Sequence, residues 1–447
     1  MQNIPLIVYL GKNLSEYRQQ TADRGTFTTL INANFPIDQL AGHKDNCELK
    51  LNSQLKYHDS YKRTKIIDTN GQSHCALIHR VYCPQCRATW GVYPSILTPG
   101  KHYDSYGVQN SLEDVLSYEQ SYRAITRQEA QLTSGGEPKA NVIRDARTPW
   151  HWVIWIGQFS LPLVLLACGL KPPAYGVEDE KFLKQNRQKS YGVGLVDHRF
   201  DLLWWLDYVF GTDQLSLETS LGQLSAILKL ADTSHYFKGI TGDSWAAAKN
   251  AFLTLDPRTK LAECLLHPML KFEKEVARYI RLEGLSKEIE QILIEAYWQV
   301  LLAPNQVSWE AGLAELESWE DFQHPILAAR LDSLKRKKEG LGLRFSDPNL
   351  ALTSNSIDRI FKRFERKFSS MQQFRSGESG KATKGAWGIV YNFRRFGKDA
   401  RRQGQSPAEL AGVELDGLPW FQFILIQLSK VRWLKSALPD LHNFMGL

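Results

Sequence analysis

Three aspartates stand where their carboxylates could act together on a phosphate group. Asp179 opens the first strand of a predicted sheet, Asp243 follows the fourth strand, and Asp358 lies in the first turn of a basic helix. Carboxylates on two strand ends and a facing helix can hold two divalent ions about 3.5–4 Å apart, which activate the attacking and leaving oxygens of a phosphodiester. Hard oxygen ligands suit Mg²⁺, or Mn²⁺ in its place. A chain with 48 acidic residues offers many such triples, so spacing alone does not select this one.

Histidines and cysteines recur between His43 and Pro94 and could bind a different metal. Cys83 and Cys86 form a C-x-x-C turn, which places two thiols on one side of a tight loop. Structural zinc takes four such donors, usually from two separated pairs. His43 and Cys47 are the predicted second pair for a structural Zn²⁺. A few buried cysteines without metal are the alternative, and the residues that compete for the fourth position are His58, Cys75 and His79.

Positive charge is concentrated late in the chain. The net charge is +7, but between Arg330 and Arg402 there are 19 Lys and Arg against 7 Asp and Glu. Such an excess is expected of a protein that binds a phosphate backbone, since each neutralised phosphate releases counterions. A solvated helix face is the alternative. Within this segment an apolar stripe at helical spacing predicts an amphipathic helix, capped by Ser354 or Asn355; the stripe consists of Ile357, Ile360, Phe361, Phe364 and Phe368.

Hydrophobic patterning predicts the elements that would carry the aspartates. A three-strand meander, a helix and a further strand form an α/β core, and from Trp245 to about Gly340 every strong signal is helical. The segment that begins at Ser111 predicts short helices of helix-turn-helix type, and the first forty residues show no clear period. The core strands are predicted at 182–183, 191–197, 202–210 and 236–241, with the helix at 215–230.

Length and composition exclude several classes of protein. A chain of 447 residues exceeds the roughly 250–300 that one core can serve, and its 43% hydrophobic content excludes disorder throughout. Six cysteines are too few for a secreted disulfide framework, and the chain opens without a leader pattern. The uncharged segment Trp150–Leu170 is long enough to span a bilayer, but Pro162 interrupts it, so a buried broken helix is favoured over a membrane anchor. We expect a cytoplasmic, nucleoid-associated protein with no membrane partner.

Six short segments follow one another in the order seen in a known family. In these motifs, and above all in the C-terminal ones, the chain resembles DDE transposases of bacterial insertion sequences. In that family a ribonuclease-H-like core carries three acidic residues, a zinc-ribbon and helix-turn-helix region precedes it, and a helical insertion can separate the second acid from the third. The segments are Glu178–Lys181, Gly242–Trp245, Thr353–Asp358, Met371–Ser376, Trp387–Phe393 and Ser406–Gly412.

The resemblance implies a role for each acidic residue. It makes Asp179 and Asp243 the first two catalytic metal ligands and Asp358 the third, with two Mg²⁺ or Mn²⁺ ions between them. The family usually has Glu at the third position, and Asp is one methylene shorter. Glu365 is the substitute candidate, since it lies on nearly the same helix face, although two turns separate it from Asp358, about 10 Å along the axis. Glu180 could support Asp179 or replace it as a ligand.

Two further sets of residues gain a role from the resemblance. Cys264 and His267 resemble the C-x-x-H pair that many such insertions carry after the second Asp. Without the resemblance, they are more often a core thiol and a hydrogen-bonded histidine. Basic residues near the acids would hold the DNA backbone. They are Arg359, Lys362, Arg363, Arg366, Lys367, Arg394, Arg395, Arg401 and Arg402.

The activity that the resemblance implies is metal-dependent DNA transposition. Such an enzyme recognises terminal inverted repeats, hydrolyses the phosphodiester at the element ends and joins the freed 3′-hydroxyl to target DNA, as a homo-oligomer on DNA. The alternatives are a catalytically decayed DNA-binding regulator, a nuclease without strand transfer and a membrane-anchored protein.

The predicted fold class is α/β, a ribonuclease-H-like catalytic core interrupted by an all-helical insertion and preceded by DNA-binding regions. The predicted parts are a lead-in (1–40), a zinc-ribbon-like region (41–100), a helix-turn-helix region (101–171), the first part of the core (172–256), the insertion (257–350), the second part of the core with the basic helix (351–402) and a tail (403–447).

Overall fold

The computed structural model is a mixed α/β protein with two compact units. The first unit comprises Met1–Lys171 and Arg366–Leu447, and the second comprises Pro172–Glu365. The structure describes residues 6–11, 13–40, 43, 47–49, 53–69, 71–118, 121–122, 125, 145–185, 188–243, 245–369, 377–397 and 404–430.

The first unit contains a four-stranded sheet, with two short helices between its first and second strands along the chain. Its strand order is β1-β4-β3-β2, with β1 parallel to β4 and the other pairs antiparallel. We expected only a lead-in before residue 41, but this segment supplies one strand and both helices. Each helix is only two to three turns long, so the periodic signal is weak, and the side chains of Asn13 and Asp23 cap them. The elements are β1 (Leu6–Val8), α1 (Leu14–Gln20), α2 (Arg24–Asn34), β2 (Lys56–Ile67), β3 (Ser73–Tyr82) and β4 (Thr89–Pro94).

Three helices follow this sheet among the residues that the structure describes: α3 (Ser105–Leu116), α4 (Arg147–Gly157) and α5 (Leu161–Ala167). The helix-turn-helix prediction falls on α3 and on residues that lie largely outside those described. No single described helix is long and apolar enough to cross a membrane. Taken together, helices α4 and α5 have the length and apolar composition of a membrane span, but the chain bends by 69° at the break between them, just before Pro162.

The second unit contains a five-stranded sheet of order β7-β6-β5-β8-β9. Strands β5, β6 and β7 form the predicted antiparallel meander, and β8 and β9 run parallel to β5. Strand β9 lies in the segment that was predicted to be only helical. The prediction missed it because four residues are too few to show an alternating pattern. The elements are β5 (Tyr175–Gln185), β6 (Gln188–Asp197), β7 (Leu202–Val209), α6 (Gln214–Ala231), β8 (Gly239–Gly242), α7 (Ala246–Leu255) and β9 (Lys260–Glu263).

Five helices after β9 form the predicted all-helical segment. They bury a core of their own, in which the rings of Phe272 and Tyr297 stack with centroids 3.8 Å apart. The helices are α8 (Leu266–Glu283), α9 (Lys287–Leu301), α10 (Gln306–Ser318), α11 (Pro325–Arg336) and α12 (Lys338–Ser346).

The chain ends with α13 (Asn355–Ser369), α14 (Gly377–Phe393), α15 (Pro407–Leu410) and α16 (Trp420–Lys430). Helix α13 is the predicted amphipathic helix, and the stripe residues from Ile357 to Phe364 are buried. Within the first unit, α14 crosses α4 backbone to backbone. A Cβ atom on Gly157 would lie 1.6 Å from the Ala382 carbonyl oxygen, so only glycine fits at this crossing.

Candidate metal centres

Four side chains of the first unit form a compact set of soft metal ligands. The ligand atoms of His43, Cys47, Cys83 and Cys86 all lie within 4.8 Å of one another. The Cys47 and Cys83 sulfur atoms are 3.8 Å apart, and His43 Nδ1 lies 3.3 Å from Cys86 Sγ. A tetrahedral site with Zn–S bonds of about 2.3 Å has S···S edges of about 3.8 Å. The cluster could therefore bind a structural zinc ion.

Local backbone structure orients these ligands. Between β3 and β4 the Arg87 N–H donates to the Cys83 carbonyl, and the Cys83 N–H donates to the Ala88 carbonyl. Arg87 adopts a positive φ of 58°, which closes the turn that carries both cysteines. On the other side, His43 Nε2 donates to the Ile37 carbonyl at 2.8 Å. That hydrogen bond puts the ring proton on Nε2 and leaves Nδ1 to accept a metal.

The geometry also selects among the candidates for the fourth ligand. His79 is buried among aromatic side chains, and His58 lies 3.1 Å from Asp59. Neither belongs to the cluster, and Cys75 is also outside it. His43 is therefore the residue that completes the set with the three cysteines.

The Cys47 thiol holds its proton more tightly than an isolated cysteine. Burial, with hydrogen bonds to Cys86 and Cys83, raises the pKa of Cys47 to about 12. Zinc binding must displace the thiol proton of Cys47, so the affinity of the cluster for zinc should fall as the pH falls.

The first two predicted catalytic aspartates lie on two neighbouring segments of the second unit's sheet: Asp179 is in the middle of β5 rather than at the opening of a strand, and Asp243 directly follows β8. In the parallel pair of β5 and β8, Val177 is opposite Thr241, and the same register continued by two residues places Asp179 beside Asp243. The strand order changes direction between these two strands, and open α/β sheets bind ligands at such a switch point. The Trp245 N–H donates to Asp243 Oδ1 at 2.7 Å and fixes the turn after β8.

The third aspartate reaches this place because helix α13 packs closely on the sheet. Gly194 is the cross-strand partner of Asp179, so a side chain there would project from the same face. A Cβ atom on Gly194 would lie 2.7 Å from Ile357 Cδ1 and 3.1 Å from the ring of Phe361. The glycine thus leaves room for the helix that carries Asp358. Glycine inside a strand often marks such a close approach, so Gly194 is a sequence signal for this packing.

Burial and neighbouring negative charges raise the pKa of three carboxyl groups in this region, those of Glu178, Asp179 and Glu180. Burial raises the pKa of Asp179 to about 6, and the charges of Asp358 and Asp243 add to the rise. Burial, followed by the charge of Asp243, raises the pKa of Glu180 to about 7. Glu178 was not among the predicted site residues. Its side chain is buried, and this burial raises its pKa well above the usual value. Alternation along β5 puts both glutamates on the face opposite Asp179.

The chemistry of this acidic cluster fits hard divalent cations. It offers only carboxylate oxygens, and buried carboxylates held together favour uptake of a cation that neutralises them. Among the described residues, the ligand atoms of the zinc candidates all lie within 4.8 Å of one another, whereas the carboxylate oxygens of the three aspartates are spread more widely. A site for two ions about 3.5–4 Å apart needs a wider set of ligands than a site for one.

Cys264 and His267 lie beside the acidic cluster. The Ser354 N–H and hydroxyl both donate to Cys264 Sγ, at 3.2 and 3.3 Å. Burial alone would raise the pKa of Cys264, but hydrogen bonds with His267 and Ser354 lower it. The pKa of His267 is raised, first by its hydrogen bond with Cys264 and then by the charges of that thiol, Asp179 and Asp243.

Glu365, the substitute for Asp358, has a different partner. Its carboxylate lies 3.3 Å from Lys181 Nζ on β5. The charge of Asp358, not that of Glu365, contributes to the raised pKa of Asp179. The geometry favours Asp358 as the third member of the cluster.

The basic residues of α13 that were expected to hold DNA differ in exposure. Lys362, Arg363 and Arg366 are exposed. Arg359 is also exposed, and its guanidinium lies 3.1 Å from Asp201. Lys367 is only 2% exposed, unlike these neighbours, and its contact with DNA stays a prediction. The amphipathic pattern could not distinguish it, because a lysine at the border of the apolar stripe can be covered by its neighbours.

The later basic residues are partly engaged in other contacts. Arg395 forms a two-pronged hydrogen bond with Glu409, and Arg394 packs on the Tyr118 ring at 4.2 Å. Arg401 and Arg402 lie outside the described residues. Contact of the exposed α13 cations Lys362, Arg363 and Arg366 with a phosphate backbone stays a prediction.

Comparison with known families concerns the zinc region. Residues 47–130 match the profile of a domain of unknown function, DUF6431. No curated protein matches the chain. The matched segment includes Cys47, Cys83 and Cys86, but neither His43 nor any of the three aspartates, so it bears on the first unit alone.

Proposed function

We propose that this protein is a DNA transposase of the DDE type, with Asp in the third position. The observation that carries the proposal is the convergence of Asp179 on β5, Asp243 after β8 and Asp358 in the first turn of α13 from three distant segments of the chain. The motif resemblance selects these three aspartates from the sequence alone. Their proximity is an independent property of the fold, since the charges of Asp358 and Asp243 raise the pKa of Asp179.

The topology of the second unit supports a ribonuclease-H-like core. A three-strand antiparallel meander is followed by two strands parallel to the first, in the order β7-β6-β5-β8-β9. The helices α8 to α12 enter the chain between the second aspartate and the third, where the family carries its insertion.

In this proposal the protein's own groups position the reacting phosphate and provide charge. The sheet fixes Asp179 and Asp243, and α13 brings Asp358 to them. Magnesium ions, when bound, would activate the attacking water or 3′-hydroxyl and stabilise the leaving oxygen. Exposed cations on α13, such as Lys362 and Arg363, would neutralise backbone phosphates near the acids.

The zinc cluster would serve recognition of the DNA ends. A structural zinc would fix the turn between β3 and β4 in the first unit, and the helices that follow this sheet would contribute to binding of the terminal inverted repeats. We further propose that the protein acts as a homo-oligomer on DNA in the nucleoid.

The test is cleavage and strand transfer by the purified protein on labelled DNA with its own element's ends, in Mg²⁺ or Mn²⁺. We expect the wild type to cut and join, Asp179→Ala, Asp243→Ala and Asp358→Ala to lose both steps, and Glu365→Ala to retain them. Cutting without joined product would identify a nuclease instead. DNA binding without cutting at any metal concentration, unchanged in the aspartate variants, would identify a regulator.

A further inference from the structure

Cys264 lies at the junction between the second and third aspartates. Its backbone N–H donates to the carbonyl of Gly242, the residue before Asp243, at 2.8 Å. Its sulfur accepts two hydrogen bonds from Ser354, one from the N–H and one from the hydroxyl. A single residue therefore connects the end of β8 to the segment that leads into α13.

Ser354 in turn defines the first turn of α13. Its carbonyl accepts the N–H groups of Ile357 and Asp358, each at 3.1 Å. The side chain of Ser354 is fully buried, so its hydroxyl depends on the Cys264 sulfur rather than on bulk water. Any displacement of Ser354 would be transmitted to Asp358 through this turn.

Two other hydrogen bonds run beside this connection. The Leu265 N–H donates to the Leu352 carbonyl at 2.9 Å, and the Thr241 hydroxyl donates to the Ala351 carbonyl at 2.9 Å. These bonds hold residues 351 to 354 against the end of β8. The Cys264 side chain supplies the last link in the series, the one closest in sequence to Asp358.

We propose that Cys264 is a positioning residue that sets the location of Asp358 relative to Asp243, and that the cation site depends on its bonds to Ser354. The sulfur suits this place because a buried thiol is compact and can accept more than one hydrogen bond. This inference rests on the proposed function, because it assumes that Asp243 and Asp358 bind the same group of cations.

The test is Mn²⁺ binding to the full-length protein without DNA. Binding is measured as the decrease in the electron paramagnetic resonance signal of free Mn²⁺. Ser354→Ala should weaken Mn²⁺ binding about fivefold, since it removes one buried hydrogen bond and shifts the helix start. Ser356→Ala is the matched control. This serine lies in the same helix turn and is also buried, at 7% exposed against 0% for Ser354, but its hydroxyl has no hydrogen-bond partner among the described residues. We expect binding by this control to match the wild type.

The cysteine itself gives a second, graded series. Cys264→Ala should weaken Mn²⁺ binding about tenfold, whereas Cys264→Ser, which keeps an acceptor atom, should recover most of the affinity. The double variant of Cys264→Ala and Ser354→Ala should bind no more weakly than Cys264→Ala alone, because both changes remove the same bonds. Cys168→Ala controls for loss of a thiol elsewhere. Circular dichroism checks that each variant folds, and if Cys264→Ala does not fold, Cys264→Ser and Ser354→Ala decide.

The variant Asp179→Asn distinguishes failure of the proposed function from failure of the positioning role of Cys264. If the wild type binds no Mn²⁺, or Asp179→Asn binds it equally well, the proposed function fails. If Asp179→Asn loses Mn²⁺ while Ser354→Ala and Cys264→Ala bind like the wild type, the cation site stands and the positioning role of Cys264 is overturned.

Discussion

The two candidate metal centres differ in how their ligands are held together. The zinc candidates approach within 4.8 Å, and two of them belong to one tight turn. The aspartates come from two strands and a helix, and they are spread more widely. Thiols and a neutral imidazole can lie close together without charge repulsion, whereas buried carboxylates repel one another until a cation arrives. A local turn is enough to build the first centre, but the second requires packing of the whole sheet and helix.

The largest effect should follow loss of a zinc ligand. Cys86→Ser should reduce bound zinc from about one ion per chain towards zero, as measured by elemental analysis of the purified protein. Structural zinc contributes about 10–16 kcal/mol in small domains, so we expect a loss of at least about 5 kcal/mol and a melting temperature lower by roughly 10 °C or more.

Cys75→Ser is the matched control for this prediction, because Cys75 lies on β3 but outside the cluster. Its zinc content and melting temperature should equal those of the wild type. Equal zinc content in Cys86→Ser and Cys75→Ser would show that Cys86 is not a zinc ligand.

The acidic centre should instead make the metal-free protein less stable as the pH rises. The pKa of Asp179 is raised from 3.8 to about 6 in the folded state, so the folded protein holds this proton more tightly than the unfolded chain. Below about pH 4 both states are protonated and no cost arises. Between pH 4 and 6 the free energy of unfolding should fall by about 2–3 kcal/mol and then level off.

Asp179→Asn should remove most of this pH dependence and stabilise the metal-free protein at pH 7 by about 2 kcal/mol. Urea unfolding at several pH values, with and without Mg²⁺, measures it, and Mg²⁺ should reduce the dependence in the wild type only. Asp332→Asn, at an exposed carboxylate of α11, should behave like the wild type. The same slope in both variants would show that Asp179 is not the source of the pH dependence.

A smaller effect should follow from filling the space beside Asp179. Gly194→Ala would place a Cβ atom 2.7 Å from Ile357 and push α13 away, so we expect a loss of about 1–3 kcal/mol and weaker Mn²⁺ binding. A Cβ atom on Gly397 would meet nothing within 4 Å, so Gly397→Ala should change neither property. Unchanged Mn²⁺ binding in Gly194→Ala would mean that the helix approach does not determine the acidic centre.

Local signals in the sequence were the most reliable. The meander, the helix after it, the all-helical segment and the amphipathic helix were predicted, because each is long enough to show its period. Strand β9 and the helices before residue 41 were not predicted. Short elements owe their conformation to sheet pairing and capping rather than to a periodic hydrophobic pattern.

The sequence by itself determined which residue types could bind metal: a C-x-x-C turn with a histidine and a cysteine upstream, and three aspartates at the ends of predicted elements. Only the tertiary structure decided that His43 completes the soft cluster, that Lys367 is buried and that Cys264 connects the segments of Asp243 and Asp358. The physical reason is that ligand type is a property of one side chain, whereas distance and burial depend on residues far away in the chain. Strand register and helix packing set those distances, and no local pattern records them.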